Sequence, residues 1–157
     1  MLNLLIVFLI SAVPLLELRA SVPYGILAGL PPLTVLLISI AGSWLPSFFV
    51  VFALGHIEPL LRRLKFLNGL LDRIYAKTRA KSAGIQELEF WGLLFFVGAP
   101  LPGTGVWTGS LAGYLLGLKR WKIILAALLG TTLAGVIMTL ILTLGISGWE
   151  WLFKSLA

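Results

Sequence analysis

The apolar residues of this chain fall into two patterns that alternate along its length. Residues 1–16 and 90–97 are short apolar segments, and each leads into a stretch that contains proline and glycine. Residues 33–55 and 123–146 are longer, and as helices of about 33 Å or more they would cross a hydrocarbon core of about 30 Å. The pattern predicts an all-α integral membrane protein with two full spans and two shorter, interrupted elements.

The second interruption, residues 98–110, holds two prolines, four glycines and three hydroxyls in thirteen residues. Proline removes a backbone donor and glycine weakens a helix, so a continuous spanning helix is not expected here. The first apolar segment would rise about 18 Å from Leu2 to Val13 before Pro14 interrupts it. Broken backbone is tolerated in hydrocarbon only where protein or a water-filled cavity surrounds it. Both interruptions are therefore predicted to lie inside the protein, as the tips of helical hairpins.

The two halves of the chain resemble each other at a single offset, given by 102 − 14 = 88. Paired interruptions in two halves of a membrane protein are typical of transporters built from internal repeats. The chain is interpreted as one membrane domain, 1–157, with repeats at 1–55 and 90–146, a connector at 56–89 and a tail at 147–157. The proline and glycine positions that coincide are Pro14 with Pro102, Gly25 with Gly113, Gly29 with Gly117 and Gly42 with Gly130.

The basic residues discriminate between two topologies. If each half crossed twice, with the 56–89 connector in the cytoplasm, the basic cluster at 119–122 would lie outside, against the positive-inside rule. If residues 1–30 and 90–118 are instead re-entrant hairpins, ten of the twelve basic residues share the cytoplasmic side. Each half then crosses once, the two halves are inverted relative to each other, and both termini lie outside. The tips of the two hairpins would meet near the midplane from opposite faces.

Composition narrows the function classes. The 157 residues are 59% hydrophobic and 11% charged, with a mean hydropathy of +1.05, whereas soluble domains carry about twice that share of charge. Without cysteine there is no thiolate, disulfide or iron–sulfur chemistry, and one histidine with six acids in no ligand spacing predicts no metal and no cofactor. No nucleophile–base pair is visible, so an enzyme is not expected. The net charge of +6 is interpreted as topology signal and contact with anionic lipid, not as a nucleic-acid site.

The connector 56–89 differs from the apolar segments on either side of it because it is rich in charged residues. Its seven basic residues face four acids, and leucines recur at helical spacing from Pro59 to about Ala80, which predicts an amphipathic helix on the membrane surface. A solvated connector that fixes orientation is the main interpretation, and a regulatory or lipid-sensing role is the alternative.

At the N-terminus, residues 1–16 lack the basic start and cleavage motif of a secretory signal, so they are expected to be retained.

Glu17 and Arg19 are the leading functional candidates, because ionisable side chains at membrane depth are costly and usually functional. Glu17 is expected to carry a proton or a cation, and the fork geometry of Arg19 suits a phosphate or a carboxylate. The alternatives are an ion pair that only holds the hairpin together, and a hairpin shallow enough to keep both side chains at the membrane interface.

The other candidates lie at the two predicted tips, Pro14–Pro23 and Pro100–Gly109. Backbone groups freed there can bind a polar or ionic substrate. The turn at 103–105 either presents amides to an anion or allows close packing of the hairpin. The threonine hydroxyls are ligands or partners of the broken backbone, and Trp107 is a pocket wall or an interface anchor. The predicted substrate- or ion-binding set is Glu17, Arg19, Pro14, Pro23, Pro100, Pro102, Gly103, Thr104, Gly105, Trp107 and Thr108.

Two segments carry a resemblance to a known family. Residues 17–25, ELRASVPYG, and 100–109, PLPGTGVWTG, resemble the small multidrug export protein family, whose typical E-x-R-G-A-I-P motif is altered here at Ala20 and Ser21. That family is in turn similar to the DedA/VTT membrane proteins, which have paired re-entrant hairpins and are implicated in proton-coupled flipping of lipid phosphates and in lipid scrambling. The resemblance implies transport, with the family's acid and arginine at Glu17 and Arg19.

These observations predict a DedA-like fold of two inverted repeats, each a re-entrant helical hairpin followed by a transmembrane helix. The expected function is a transporter or lipid flippase for a small charged or amphiphilic substrate, with proton coupling and a midplane site between the hairpins. A non-transporting membrane assembly or lipid-organising protein is the alternative. The expected partners are the lipid bilayer, the substrate, a proton and a second copy in a homodimer, with no nucleic acid. The expected location is a prokaryotic plasma membrane.

Overall fold

In each half of the chain two short helices precede one long helix, in the order that the apolar pattern predicts. A computed structural model describes residues 1–61, 69, 83–101 and 103–156. The amphipathic helix predicted from Pro59 to about Ala80 lies almost wholly outside these residues. The described part contains no strand, and its helices are α1 (Leu2–Ala12), α2 (Glu17–Leu27), α3 (Pro32–Leu61), α4 (Ala83–Gly98), α5 (Val106–Leu115) and α6 (Arg120–Leu156).

Both interruptions are shorter than the sequence pattern predicts. The first does not extend to Pro23, because α2 begins at Glu17 and runs through that proline. Helices within membranes accommodate proline where neighbouring groups satisfy the freed backbone. The second interruption ends at Gly105, because α5 begins at Val106. The candidate residues Glu17 and Trp107 therefore lie in the first turns of helices and not in loops.

The two halves of the chain make the same helix contacts. In the first half, α1 and α2 pack against each other and against α3, and in the second half α4 and α5 pack against each other and against α6. Between the halves, α3 contacts α5 and α6, and α2 contacts α6. Exchanging the halves, so that α1, α2 and α3 become α4, α5 and α6, maps this set of contacts onto itself.

The first hairpin reaches only halfway along α3. At its open end, a Cβ on Gly25 would lie 2.6 Å from Val35, in the first turn of α3. Near its tip, the Ser43 hydroxyl in the middle of α3 donates to the carbonyl of Ser11 at 3.0 Å. The eleven residues of α1 rise about 16 Å, against about 39 Å for the 26-residue apolar stretch of α3. This hairpin is too short to cross the thickness that α3 can cross.

The second hairpin has the same relation to α6. At its open end, a Cβ on Gly113 would lie 3.0 Å from Ile123, close to the start of α6. Near its tip, a Cβ on Gly98 would lie 2.9 Å from Leu133, in the middle of the apolar stretch of α6. Small residues at these contacts let the helices approach closely, as is usual in membrane proteins.

The long helices α3 and α6 run side by side in opposite directions. The Arg120 guanidinium at the start of α6 lies beside Gly55 near the end of α3, where a Cβ would be 2.6 Å from Nη2. The same guanidinium is 5.9 Å from the centroid of the Phe52 ring. Towards the other end, a Cβ on Gly135 would lie 2.8 Å from Leu36. The end of α3 and the start of α6 therefore lie on one side of the molecule.

The short helices α2 and α5 end in the same way, 88 residues apart. Gly29 and Gly117 both have φ +74°, the left-handed conformation that commonly ends a helix. The leucine after each glycine donates its N–H to a glycine carbonyl five residues earlier, at 3.1 Å in α2 and 3.0 Å in α5. Both ends thus have the hydrogen bonding of a Schellman motif at corresponding positions.

In the described part of the chain, buried apolar residues form one cluster in each half. Each cluster also includes one residue from the long helix of the other half, Ala134 in the first and Val51 in the second. The described residues contain two helices that are long and apolar enough to cross a membrane, Pro32–Ile57 and Arg120–Gly145. Their outward faces carry large exposed apolar side chains such as Leu37, Phe49 and Ile141. The first cluster is Val7, Leu18, Val22, Val35 and Ala134, and the second is Val51, Leu93, Leu94, Val97, Val106, Leu118, Ile123, Ala126 and Ala127.

Candidate functional site between the hairpin tips

The turn at the tip of the first hairpin contains two non-glycine residues with left-handed backbone. Leu15 has φ +72° and Glu17 has φ +46°. This conformation costs an ordinary residue about 1–2 kcal/mol, so contacts elsewhere must hold the turn. The turn places the Glu17 carboxylate against Gly105, the residue that caps the N-terminus of α5 in the second hairpin.

The Glu17 carboxylate is buried between the two tips, with 2% of the residue exposed. Its Oε2 accepts a hydrogen bond from Nη1 of Arg19 at 3.2 Å. Its Oε1 accepts one from the backbone N–H of Trp107 at 3.4 Å. That N–H belongs to the first turn of α5, where unpaired amides and the helix dipole favour a negative charge. A Cβ at Gly105 would overlap both carboxylate oxygens, so only glycine leaves room for this contact.

The Arg19 guanidinium joins the first hairpin to the second. Its Nη2 donates to the carbonyl of Ala99 at 2.9 Å and to Oγ1 of Thr104 at 2.9 Å, and it also contacts the Thr104 carbonyl. Ala99 directly follows the end of α4, where helix carbonyls lack intrahelical partners and a positive charge is favourable. Among the described residues, the buried Nε of Arg19 has no hydrogen-bond partner.

The Trp107 side chain joins the second hairpin to the first. Its indole Nε1 donates to the carbonyl of Ala12, the last residue of α1, at 3.3 Å. Its ring centroid is 6.3 Å from that of Phe49 on α3, in an edge-to-face arrangement. Arg19 and Trp107 therefore make equivalent contacts between the hairpins. Each donates a hydrogen bond to a carbonyl at the end of the other hairpin's first helix.

The two threonine hydroxyls of the second tip hydrogen-bond to the broken backbone around them. Thr104 Oγ1 donates to the carbonyl of Ala99 at 2.8 Å. Thr108 Oγ1 accepts from the N–H of Gly105 at 3.0 Å and donates to the carbonyl of Gly103 at 2.8 Å. Gly103 has φ +85°, which turns the chain back towards α5. Both hydroxyls thus stabilise the turn in this conformation.

A cavity of about 80 Å³ lies between the tips. This volume holds a few water molecules or a small ion, and it is well below the roughly 300–1,000 Å³ of a drug-sized site. The cavity contains one acidic and one basic side chain, and α1 and α5 carry no charged residue. Its lining residues are Pro14, Leu15, Glu17, Arg19, Gly103, Gly105, Trp107 and Thr108.

Most of the predicted tip residues converge on this cavity, but the later prolines do not. Pro23 lies inside α2 and Pro100 is exposed, and neither lines the cavity. Thr104 contacts Arg19 without lining the cavity. Pro102 lies outside the described residues.

Sequence reasoning missed Leu15 and the carbonyl groups of Ala12 and Ala99. An apolar side chain and a backbone carbonyl carry no chemical signal in a sequence. The 88-residue offset does hold a hint, because it pairs Arg19 with Trp107, and both are side chains with nitrogen donors.

The fold and the site define a helical protein in which two half-length hairpins meet end to end around an ion pair whose carboxylate is buried. The family described as "Putative small multi-drug export protein" matches residues 17–137, a range that includes both tips. The chain belongs to this family, as its sequence motifs predict. No curated protein and no solved structure matches the chain. Family membership and the two long apolar helices make it an integral membrane protein.

Proposed function

We propose that the protein is a membrane transporter for a small charged or amphiphilic substrate, and that the cavity between the hairpin tips is its substrate or ion site. The observation that carries the proposal is the Glu17–Arg19 pair, which lies about halfway along the apolar stretches of the long helices, with its carboxylate buried and with groups from both hairpins holding it. Ionisable groups at such depth are costly and mark transport pathways. The family description of small multi-drug export agrees with this function.

We propose further that the hairpins are re-entrant and that the two halves are inverted repeats. Three observations support this arrangement: the short hairpins, the antiparallel course of α3 and α6, and the contacts that survive exchange of the halves. In the alternative with two crossings per half, α3 and α6 would run parallel. In transporters with inverted repeats, alternating access is movement of one repeat against the other around a central site.

In this proposal Glu17 carries a proton and Arg19 meets negative charge on the substrate. The cavity of about 80 Å³ suits an ion or a proton with water. A larger substrate requires the tips to separate, which breaks the contacts of Arg19 with Ala99 and Thr104. Protonation of Glu17 would weaken its attraction to Arg19, so that separation would have to break only the contacts of Arg19 with Ala99 and Thr104. The same set of contacts around Arg19 would then control both proton coupling and substrate access.

The experiment is transport of sulforhodamine B, a small amphiphilic anion, into vesicles that contain the purified full-length protein, with and without a pH gradient. We expect the gradient to stimulate transport by the wild-type protein and not by Glu17→Gln. Arg19→Gln should abolish the stimulated transport. Glu150→Gln, in the last helix, removes a carboxylate far along the chain from the tips and should behave as wild type.

The alternative, a non-transporting membrane assembly, is favoured by the fact that the Glu17 and Arg19 side chains both have protein partners. This alternative predicts that Glu17→Gln and Arg19→Gln lose folding or assembly, which size-exclusion chromatography detects. It also predicts that neither variant differs from the wild-type protein in the transport assay. If Glu17→Gln keeps both transport and its pH dependence, the coupling role of Glu17 is wrong.

We also propose that two copies associate. In the described part of the chain, only 39% of an 18-residue apolar segment within each long helix is buried, so much of this surface can contact lipid or a second copy. Cross-linking of the protein in native membranes tests this point, and a monomer at all protein-to-lipid ratios would contradict it.

A further inference from the structure

A second cavity, of about 440 Å³, lies between the N-terminal halves of α4 and α6, and none of its lining residues belongs to the hairpin tips. We propose that it binds the headgroup of a zwitterionic phospholipid that carries a primary ammonium, of the phosphoethanolamine type. The residues that line it are Glu87, Phe90, Trp91, Trp121, Lys122 and Leu125. This site is independent of the proposed transport site.

The cavity presents both charges that such a headgroup requires. Glu87 and Lys122 line it from opposite helices, yet they form no ion pair with each other. A phosphate can accept hydrogen bonds from the Lys122 ammonium. The lipid ammonium can donate to the Glu87 carboxylate and lie against an indole ring. A cation already lies near one of these rings, because Nζ of Lys122 is 5.9 Å from the Trp121 centroid.

The position of the cavity suits a lipid of the surrounding leaflet. It lies at the start of the apolar stretch Arg120–Gly145, where that helix would leave the hydrocarbon. Trp91 and Trp121 are 48% and 58% exposed, and tryptophan is favoured at the boundary between hydrocarbon and headgroups. Phe90 and Leu125 give the cavity an apolar wall that can pack against the glycerol and the upper acyl chain.

Other common headgroups satisfy only part of the cavity. An anionic headgroup such as phosphatidylglycerol pairs with Lys122 but brings no cation to Glu87. A phosphatidylcholine headgroup brings a cation without N–H donors, so it cannot donate to that carboxylate. The phosphoethanolamine headgroup satisfies both side chains at once.

The test is native mass spectrometry of the purified full-length protein with an equimolar mixture of dioleoyl phosphatidylethanolamine, phosphatidylglycerol and phosphatidylcholine. Because the ion pairs would be partly exposed, we expect the wild-type protein to retain the ethanolamine lipid about three- to fivefold over each of the others. Glu87→Gln should lose the preference over phosphatidylglycerol, and Lys122→Gln should weaken binding of all three lipids. Lys119→Gln removes a nearby exposed charge that does not line the cavity, and it should leave the preference unchanged.

Equal retention of the three lipids by the wild-type protein would overturn the proposal, as would the same loss in Lys119→Gln and Lys122→Gln. A second measurement needs no variant: a photoreactive phosphatidylethanolamine should label peptides that contain Trp91 or Trp121. Labelling elsewhere only, as expected if another part of the chain covers the cavity, would also overturn it.

Discussion

Glu17 and Gly105 occupy equivalent positions in the two halves of the chain, since 105 − 17 = 88, and they lie in direct contact. Two positions further on, Arg19 and Trp107 are also equivalent, and each donates to a carbonyl at the end of the other half's first helix. The halves therefore meet through matching residues with different chemistry. The first half supplies the charges, and the second supplies space at a glycine, amides and an indole.

The first prediction concerns Gly105→Ala. The added methyl would overlap the Glu17 carboxylate, which is fixed by Arg19 and by a strained turn and so cannot shift freely. Overpacking of this kind costs about 1–3 kcal/mol, measured as a lower thermal unfolding midpoint in detergent. Gly92→Ala is the control, because a Cβ at that position on α4 meets nothing within 4 Å. Equal midpoints for the two variants would show that the tips are not tightly packed.

The second prediction is that loss of Arg19 costs more stability than loss of the charge on Glu17. Arg19→Gln leaves a carboxylate that is only 3% exposed without its cation, which costs about 3–5 kcal/mol. Glu17→Gln leaves Arg19 its bonds to Ala99 and Thr104, so the cost is about 1–2 kcal/mol. Denaturant unfolding measures both, and the double variant should be more stable than Arg19→Gln alone. The reverse order would mean that Arg19 depends on Glu17 and not on the α4 carbonyls.

The sequence was sufficient to predict the helical membrane class, the family and the two interrupted elements. Those features follow from hydrophobic run lengths and from proline and glycine, whose backbone effects are local. The same local rules placed the interruption too far along the chain at Pro23. A helix in a packed membrane protein continues through proline when tertiary contacts outweigh its local cost.

The geometry of the site was only partly predictable. Glu17 and Arg19 stand out because charge is rare in apolar sequence, and Gly105 stands out through the glycine-rich turn. The contact between Glu17 and Gly105 depends on how two hairpins that are far apart in the sequence meet in space. A single sequence does not contain that spatial distance. The roles of Ala12 and Ala99 arise from where helices end, which shifts with tertiary packing.

The third prediction concerns Trp107→Phe. This change keeps an aromatic ring but removes the N–H that bonds to the partly buried carbonyl of Ala12, and loss of such a hydrogen bond costs about 1 kcal/mol. We expect faster amide hydrogen exchange at the end of α1, together with a lower unfolding midpoint. Trp121→Phe should leave exchange in α1 unchanged, because this residue is 58% exposed and lies at the start of α6, not at the tips. Unchanged exchange in α1 would argue that the indole bond contributes no stability.

The fourth prediction is that alanine at Gly29 and at Gly117 destabilises the protein to a similar extent. Both glycines have φ +74°, and this conformation costs a residue with a Cβ about 1–2 kcal/mol. A Cβ at Gly29 meets nothing within 4 Å, so its backbone angle is the cause of the loss there. Unfolding midpoints of the single variants test this, with Gly92→Ala as the helical control. A neutral result at one position only would show that the two helix ends are not equivalent.

The last prediction tests the topology directly. If α3 and α6 cross in opposite directions and the hairpins are re-entrant, single cysteines at His56 and Lys119 will react with a membrane-impermeant maleimide from one face, and a cysteine at Leu30 from the other. The chain has no native cysteine, so every label reports the introduced site. With two crossings per half, residues 56 and 119 would instead lie on opposite faces. Labelling of those two positions from opposite faces would therefore contradict the inverted-repeat topology. It would also contradict the proposal of a shared midplane site, which depends on that topology.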